Sequence, residues 1–130
     1  MFKFGQDSLM QMVFTREEFE AFTEASLRRD FSNYIQPCKY EFWKDSVCLY
    51  AGHGKHKRGI LRAFEIGYLE ASKRTAVSTA DRVVIDFYGS DDDALDAEQE
   101  SLYTNRPLFN KNGTGPFSTK HRMTTLFTRR

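Results

Sequence analysis

The stretch formed by residues 38–62 constrains the fold of this chain more than any other, because two strand patterns there lead directly into a cationic glycine loop. Residues 39–43 and 47–51 are rich in aromatic and β-branched side chains, and a polar turn at residues 44–46 separates them. This pattern predicts a β-hairpin. With that turn as its tip, Tyr40 lies directly opposite Tyr50, and both phenols project from one face of the sheet.

A cationic loop follows the second strand. Glycines at positions 52 and 54 let the backbone turn sharply and approach a ligand closely. The side chains around them are basic or imidazole groups: His53, Lys55, His56, Lys57 and Arg58. A helix is predicted from residue 57 to residue 72, and its first turns place Arg58 and Arg62 on one face. Cations and phenols together favour a phosphate group as the ligand.

These residues resemble the signature of the GIY-YIG nucleases, in which two strands end in Gly-Ile-Tyr and Tyr-Ile-Gly and an arginine follows. Tyr40 and Tyr50 keep the spacing of the two tyrosines, and Arg58 stands at the arginine position. Further along the chain, Glu98 and Asn110 match the glutamate and asparagine segments. The resemblance covers residues 37–112.

The resemblance implies a DNA endonuclease that hydrolyses phosphodiester bonds with a divalent metal ion, Mg²⁺ or Mn²⁺. It implies that Glu98 binds the metal, that Arg58 binds a phosphate oxygen, and that Asn110 holds the site together through hydrogen bonds. Tyr40 is the expected general base and Tyr50 its orienting partner, and the reverse assignment stays open.

Three positions depart from the family pattern. His53 stands where lysine is common, Arg62 stands where histidine is common, and the first motif, at residues 38–40, lacks its glycine. A phenol with a pKa of about 10 is a poor base at neutral pH. We therefore expect cations at His53, Lys55 and Arg58 to lower the pKa of the tyrosine base.

Charge is segregated along the chain, although the net charge is only +1. Residues 91–100 carry six acids and no base, whereas residues 111–130 carry five bases and no acid. Such segregation makes one face of a protein attractive to a polyanion. DNA is the expected partner, and the residues expected to bind it are Lys55, His56, Lys57, Arg62, Lys120 and Arg122.

The rest of the chain predicts helices and one further strand. A capping box of Thr15 and Glu18 begins a helix expected to reach residue 29. Residues 75–80 are expected to form a loop, residues 82–88 have the apolar run of a central strand, and Ser90 caps a third helix. The predicted fold is a small α+β, GIY-YIG-like domain whose three-stranded, largely antiparallel sheet is flanked by helices. An N-terminal extension with one helix (1–36), a core (37–112) and a basic tail (113–130) make up the chain.

Glu98 lies between Leu95 and Leu102 on the apolar stripe of the third helix. A buried carboxylate is costly unless it is paired or binds a metal. The two interpretations are a metal ligand and an ion-pair partner of Arg58, and the stripe alone does not choose between them.

Two other functions agree with parts of the sequence. A catalytically inactive nucleic-acid-binding protein with a nuclease-like fold retains the basic face and makes Glu98 structural. A zinc site at Cys38, Cys48, His53 and His56 is disfavoured, because nine residues separate the two cysteines.

Two further expectations concern the setting of the protein. Two cysteines are too few for a disulfide framework, and no apolar run reaches membrane-spanning length, so we expect a soluble cytoplasmic protein without a membrane partner. A domain with one active centre cuts one strand per encounter. Double-strand cleavage would therefore require a homodimer or a second encounter.

Overall fold

Runs of aromatic and β-branched residues form an antiparallel sheet in the computed structural model, which describes residues 8–68 and 70–110. The four strands are β1 (Met10–Thr15), β2 (Cys38–Lys44), β3 (Val47–Gly54) and β4 (Arg82–Phe87). Their order across the sheet is β1-β4-β2-β3, and all neighbouring strands are antiparallel. The five α-helices of the described residues are α1 (Arg16–Ala21), α2 (Glu24–Asp30), α3 (Ile60–Glu65), α4 (Ala71–Thr79) and α5 (Asp91–Asn105).

The α+β class is confirmed, but the sheet has a fourth strand. β1 pairs with β4 from Met10 opposite Phe87 to Thr15 opposite Arg82. Its methionines and glutamine give a weak strand signal, because strand propensity is highest for β-branched and aromatic residues. β4 lies between β1 and β2, which confirms the interior position predicted from its apolar run.

The N-terminal helix begins as predicted and ends early. Thr15 Oγ1 accepts a hydrogen bond from the Glu18 N–H at 3.1 Å, and Glu18 Oε1 accepts one from the Thr15 N–H at 2.9 Å. The single helix to residue 29 is wrong, because Thr23 forms a second capping box with Ser26 and begins α2. A side chain that bonds the local backbone competes with the helix and breaks it.

The N-terminal segment packs into the same core as the rest of the described chain. The ring of Phe19 stacks on that of Phe64 with centroids 4.1 Å apart, and Phe14 and Leu27 are buried. With one strand and two helices, residues 10–30 form part of the sheet and its cover rather than a single added helix.

The predicted helix from residue 57 to residue 72 is wrong at both ends. α3 begins only at Ile60, because Lys57 and Gly59 have φ angles of 78° and 45°, which no α-helix contains. It passes into a 3₁₀ turn at Ile66–Tyr68. The loop predicted at residues 75–80 is also wrong, because α4 covers residues 71–79. Ala76 is buried in the core there and Val77 packs against it, and tertiary packing of this kind outweighs weak helix propensity.

Helix α5 begins at its predicted cap, since Ser90 Oγ accepts a hydrogen bond from the Asp93 N–H at 3.1 Å. Its sheet-facing residues differ from the predicted stripe. Leu95 is 39 % exposed, whereas Ala94, Ser101 and Leu102 are buried. Glu98 does face the sheet, one turn after Ala94.

The two faces of the sheet differ in polarity. Tyr40, Phe42, Ile85 and Phe87 belong to the apolar core on one face. The face beneath α5 carries Lys39, Glu41 and Asp86, which together with Ser101 and Asn105 of α5 form a group of buried and half-buried polar side chains that we call the polar seam. Lys39 Nζ lies 3.1 Å from Glu41 Oε2 and 3.3 Å from Asp86 Oδ2.

Two residues of α5 complete the polar seam from above. Ser101 Oγ donates to Glu41 Oε2 at 2.7 Å, and Asn105 Nδ2 donates to the same oxygen at 3.3 Å. Burial opposes ionisation of Glu41, yet the charge of Lys39 and the hydrogen bonds from Ser101 and Trp43 outweigh it and hold the pKa of Glu41 below its ordinary value. The polar seam therefore attaches α5 to the sheet beside the buried apolar side chains of Ala94 and Leu102.

Within residues 8–68 and 70–110, no helix combines the length and the apolar composition needed to cross a membrane. The cysteines Cys38 and Cys48 are both free and buried.

Candidate functional site

The hairpin is present, but its register differs from the prediction. Tyr40 pairs with Gly52 and Tyr50 with Phe42, so the two tyrosines are diagonal rather than opposite. The turn contains two residues, Asp45 and Ser46, and the register shifts after Phe42. From Cys38 to Phe42 the error in register is two residues, so it leaves both tyrosines on their predicted face. The tyrosine rings lie side by side with centroids 6.5 Å apart.

Gly52 makes room for the Tyr40 ring. A Cβ atom at Gly52 would lie 2.7 Å from the Tyr40 hydroxyl oxygen and 2.7 Å from its Cζ, closer than real contacts allow. The absence of a side chain on β3 therefore lets the phenol of the neighbouring strand lie across the backbone. Gly52 therefore accommodates the side chain of Tyr40, which precedes it by twelve residues.

The loop after β3 is anchored through its backbone and exposes its cations. A Cβ atom at Gly54 would lie 2.1 Å from the Gly59 carbonyl oxygen, so the two ends of the loop touch. The Lys57 N–H donates to the Ile35 carbonyl at 2.8 Å, and the Ile60 N–H donates to the Tyr34 carbonyl at 3.1 Å. The exposed side chains of this loop are Lys55, His56, Lys57 and Arg58.

These elements enclose a cavity of about 440 Å³. It is lined by Tyr40, Tyr50, Gly52, His53, Lys55, Arg58, Arg62 and Glu98. The structure thus brings together five of the six residues predicted to be catalytic, all except Asn110. Two of the predicted DNA-binding residues, Lys55 and Arg62, lie in the same cavity. We call this cavity the tyrosine cavity.

Glu98 pairs with His53 across the mouth of the tyrosine cavity. His53 Nδ1 lies 2.7 Å from Glu98 Oε1, and the two side chains are only 20 % and 15 % exposed. Of the two interpretations of Glu98, the ion pair is therefore present in a different form, with His53 rather than Arg58 as the partner. Because α3 begins only at Ile60, Arg58 lies in the loop before the helix, and its guanidinium contacts Glu65.

The sequence pattern did not predict a role at the site for Glu65. Its carboxylate holds Arg58, and Arg62 Nη1 lies 3.7 Å from the same oxygen. One carboxylate therefore neutralises part of both arginines of the tyrosine cavity. The spacing of Arg62 and Glu65, three residues apart on a helix, was the signal that could have revealed the contact.

Asn110 acts on the edge of β3 from outside the cavity. Its Oδ1 accepts a hydrogen bond from the Ala51 N–H at 3.0 Å, and its Nδ2 donates to the Ala51 carbonyl at 2.9 Å. Ala51 lies between Tyr50 and Gly52, so this amide fixes the backbone that carries both. The contact agrees with the role in hydrogen bonding expected of Asn110.

The pKa values of both tyrosines are raised, contrary to the prediction. Burial is the main cause, and it raises the pKa of Tyr40 well above its ordinary value, with a further increase from Tyr50. Burial and then Glu98 raise the pKa of Tyr50 to about 12. The cation that lowers both values is Arg62 rather than His53, Lys55 or Arg58, and burial outweighs it.

The tyrosine cavity offers one carboxylate, that of Glu98, as a ligand for a metal ion. Magnesium binds one or two carboxylates, keeps several waters and takes further oxygens from phosphates, and Glu98 supplies one carboxylate within a cavity lined by cations. Among the described residues there is no group of three or more histidine, cysteine, aspartate or glutamate side chains that could hold a metal ion.

Comparison of the chain with protein-family models, with curated proteins and with solved structures finds no match in any of the three. The predicted DNA-binding residues Lys120 and Arg122, and the basic tail at 113–130 that contains them, lie outside the described residues.

Proposed function

We propose that this protein is a divalent-metal-dependent DNA endonuclease that hydrolyses phosphodiester bonds in the tyrosine cavity. One observation carries the proposal. Two tyrosines and two arginines from residues 40–62 and a carboxylate from residue 98 line a single cavity of about 440 Å³. Phosphodiester hydrolysis needs a proton acceptor, cations around the phosphate and a hard oxygen ligand for a metal ion. This set of residues contains all three.

Arg58 and Arg62 bind the phosphate in this proposal. Both guanidinium groups line the cavity, and planar guanidinium donors match the oxygen geometry of a phosphate. In the free protein both lie next to Glu65. A phosphate in the tyrosine cavity therefore competes with the Glu65 carboxylate for both arginines.

Tyr40 accepts the proton of the attacking water, and Tyr50 orients Tyr40. The Tyr40 ring is fixed by the contact with Gly52 and by the stacked Tyr50 ring. Because burial raises the pKa of Tyr40, its phenol is protonated at neutral pH in the free protein. A metal ion held by Glu98 would, together with Arg62, favour loss of the phenol proton to solvent, and the phenolate formed would then accept the proton of the attacking water.

Glu98 would hold the metal ion, and His53 would orient its carboxylate. A bound Mg²⁺ or Mn²⁺ supplies positive charge to the phosphate oxygens and to the leaving oxygen. His53 Nδ1 lies 2.7 Å from Glu98 Oε1. Such a hydrogen bond, from a residue that does not itself bind the metal, fixes the orientation of the carboxylate that does. Asn110 acts one step further away, by holding the strand between Tyr50 and Gly52.

A catalytically inactive nucleic-acid-binding protein is the second candidate function. The Glu98–His53 pair favours it, because a carboxylate with a partner in the protein has a structural role without any metal. This candidate keeps Arg58, Arg62 and Lys55 as phosphate contacts. It differs from the nuclease only because it does not hydrolyse the phosphodiester bond.

Cleavage of supercoiled plasmid DNA tests the proposal. We expect nicking in Mg²⁺ or Mn²⁺ that stops in EDTA and is lost in Glu98→Gln. Glu100→Gln is the matched control, because it removes the same charge from an exposed position of the same helix. Tight DNA binding without divalent-dependent nicking by the wild type would establish the binding protein instead. Nicked circles that precede linear product would indicate one strand cut per encounter.

A further inference from the structure

A second and larger cavity lies beside the tyrosine cavity, between the helices α1–α2 and the helices α3–α4. Its volume is about 900 Å³. Its floor is apolar and largely aromatic, formed by Phe19, Phe22, Leu61, Phe64 and Val77. Four of these five side chains are only partly buried, so the floor is accessible to a flat apolar ligand. We call this cavity the aromatic groove.

The aromatic groove is continuous with the tyrosine cavity through Arg58, which lines both. Helix α3 forms the wall between them. Arg62 on this helix faces the tyrosine cavity, whereas Leu61 and Phe64 face the groove. A chain molecule with one phosphate at Arg58 therefore has its next units directly at the entrance of the groove.

The rim of the aromatic groove is charged and carries an exposed phenol. Its arginines are Arg16, Arg58 and Arg74, and its glutamates are Glu20, Glu24 and Glu65. The pairs are Arg16 with Glu20, Arg28 with Glu24 and Arg58 with Glu65; with Arg28 counted, the rim carries four arginines against three glutamates, a net charge of +1. Tyr68, also on the rim, is 84 % exposed.

This combination corresponds to the chemistry of single-stranded nucleic acid. Proteins bind single strands by stacking bases on aromatic rings while arginines follow the phosphates. A base pair within a duplex hides its ring faces in the stack, so an apolar groove attracts bases only where they are unstacked. Arginine also stacks on aromatic rings and bases.

We propose that the aromatic groove binds unstacked bases of a single-stranded DNA segment next to the phosphate held by Arg58. The position of that phosphate rests on the proposed function. The preferred substrate is then DNA with a single-stranded segment at the cleavage point, rather than uninterrupted duplex.

Binding of fluorescent oligonucleotides to the full chain tests this inference. We expect Tyr68→Ala to weaken binding of a single-stranded oligonucleotide at least about fivefold, the lower end of what one stacked base contributes. Binding of a blunt duplex should change little. Tyr103→Ala is the matched control, because Tyr103 is also an exposed tyrosine, 60 % exposed, and lies on α5 away from the groove. Because both side chains are exposed, both variants retain the fold.

A 2-aminopurine base placed in the single strand gives a second measurement. We expect protein binding to change its fluorescence through stacking, and Arg74→Gln to weaken binding of the same oligonucleotide. Equal affinity of wild type and Tyr68→Ala for the single strand would overturn the inference. An unchanged 2-aminopurine signal on binding would overturn it as well.

The outcomes separate this inference from the proposed function. Metal-dependent cleavage of duplex DNA with no effect of Tyr68→Ala on single-strand binding would overturn the inference alone. Single-strand binding that depends on Tyr68, without any cleavage, would support the inference and overturn the nuclease.

Discussion

Replacement of Glu98 by glutamine separates the nuclease from the binding protein most sharply. The substitution keeps the shape of the side chain and removes its charge. The contact with His53 at 2.7 Å then changes from a charge-assisted hydrogen bond to a neutral one. A hydrogen bond to a charged group contributes about 1.5–3 kcal/mol to the free energy of unfolding, and a neutral one about 0.5–1.5 kcal/mol. The substitution should therefore lower the free energy of unfolding by about 1 kcal/mol. For a chain of 130 residues this lowers Tm by about 4 °C.

The assay joins thermal unfolding in EDTA with cleavage in Mg²⁺. We expect Glu98→Gln to melt slightly below the wild type, to bind DNA as tightly or slightly more tightly, and to have lost cleavage. Affinity does not fall, because one negative charge facing the phosphate has been removed. Glu100→Gln should leave all three quantities unchanged.

Two results would refute this reasoning. Cleavage by Glu98→Gln at a rate near that of the wild type would exclude Glu98 as the metal ligand. A loss of about 3–5 kcal/mol in unfolding free energy, the cost of breaking a buried ion pair, would identify the Glu98–His53 contact as a main structural element. Lost cleavage would then reflect disturbed structure.

Three further predictions concern the strands below the site. Tyr40→Phe should lower the cleavage rate at least about 100-fold and Tyr50→Phe less, as measured in single-turnover reactions; equal rates for wild type and Tyr40→Phe would exclude Tyr40 as the base. Gly52→Ala should lower the unfolding free energy by about 1–3 kcal/mol and slow cleavage, because its methyl group meets the Tyr40 ring. Folding lowers the pKa of Glu41, so its carboxylate stabilises the protein above the unfolded pKa, and this contribution is lost as pH falls through the folded pKa. The Glu41→Gln variant should therefore have a lower unfolding free energy than the wild type at pH 7. Its unfolding free energy should also fall less steeply than that of the wild type below about pH 4.5.

The convergence of the tyrosine cavity could be predicted from the sequence because its determinants are local. The two tyrosines share a face whether the hairpin register is right or wrong by two residues, since side chains alternate with period two. The cationic glycine loop follows directly along the chain. Glu98 needed only the helical period and the cap at Ser90 to be placed towards the sheet.

Partners across the fold could not be predicted in the same way. Whether Arg58 contacts Glu98 or Glu65 depends on positive φ angles at Lys57 and Gly59, which delay the start of α3. Gly59 offered a local signal, but lysine offers none. The break between α1 and α2 was visible at Thr23, whereas β1 depends on its pairing with β4 rather than on its own composition.

The polar seam gives the two halves of the tyrosine cavity different responses to temperature. The tyrosines belong to the apolar core, whose unfolding carries a large heat-capacity change. Glu98 belongs to a helix whose contact with the sheet includes the polar seam, through Glu41 and Ser101, beside the buried Ala94 and Leu102. Exposure of polar surface lowers the heat capacity, so detachment of this helix has a smaller heat-capacity change and a flatter free-energy curve. Cooling therefore weakens the hold on the tyrosines more than the hold on the carboxylate.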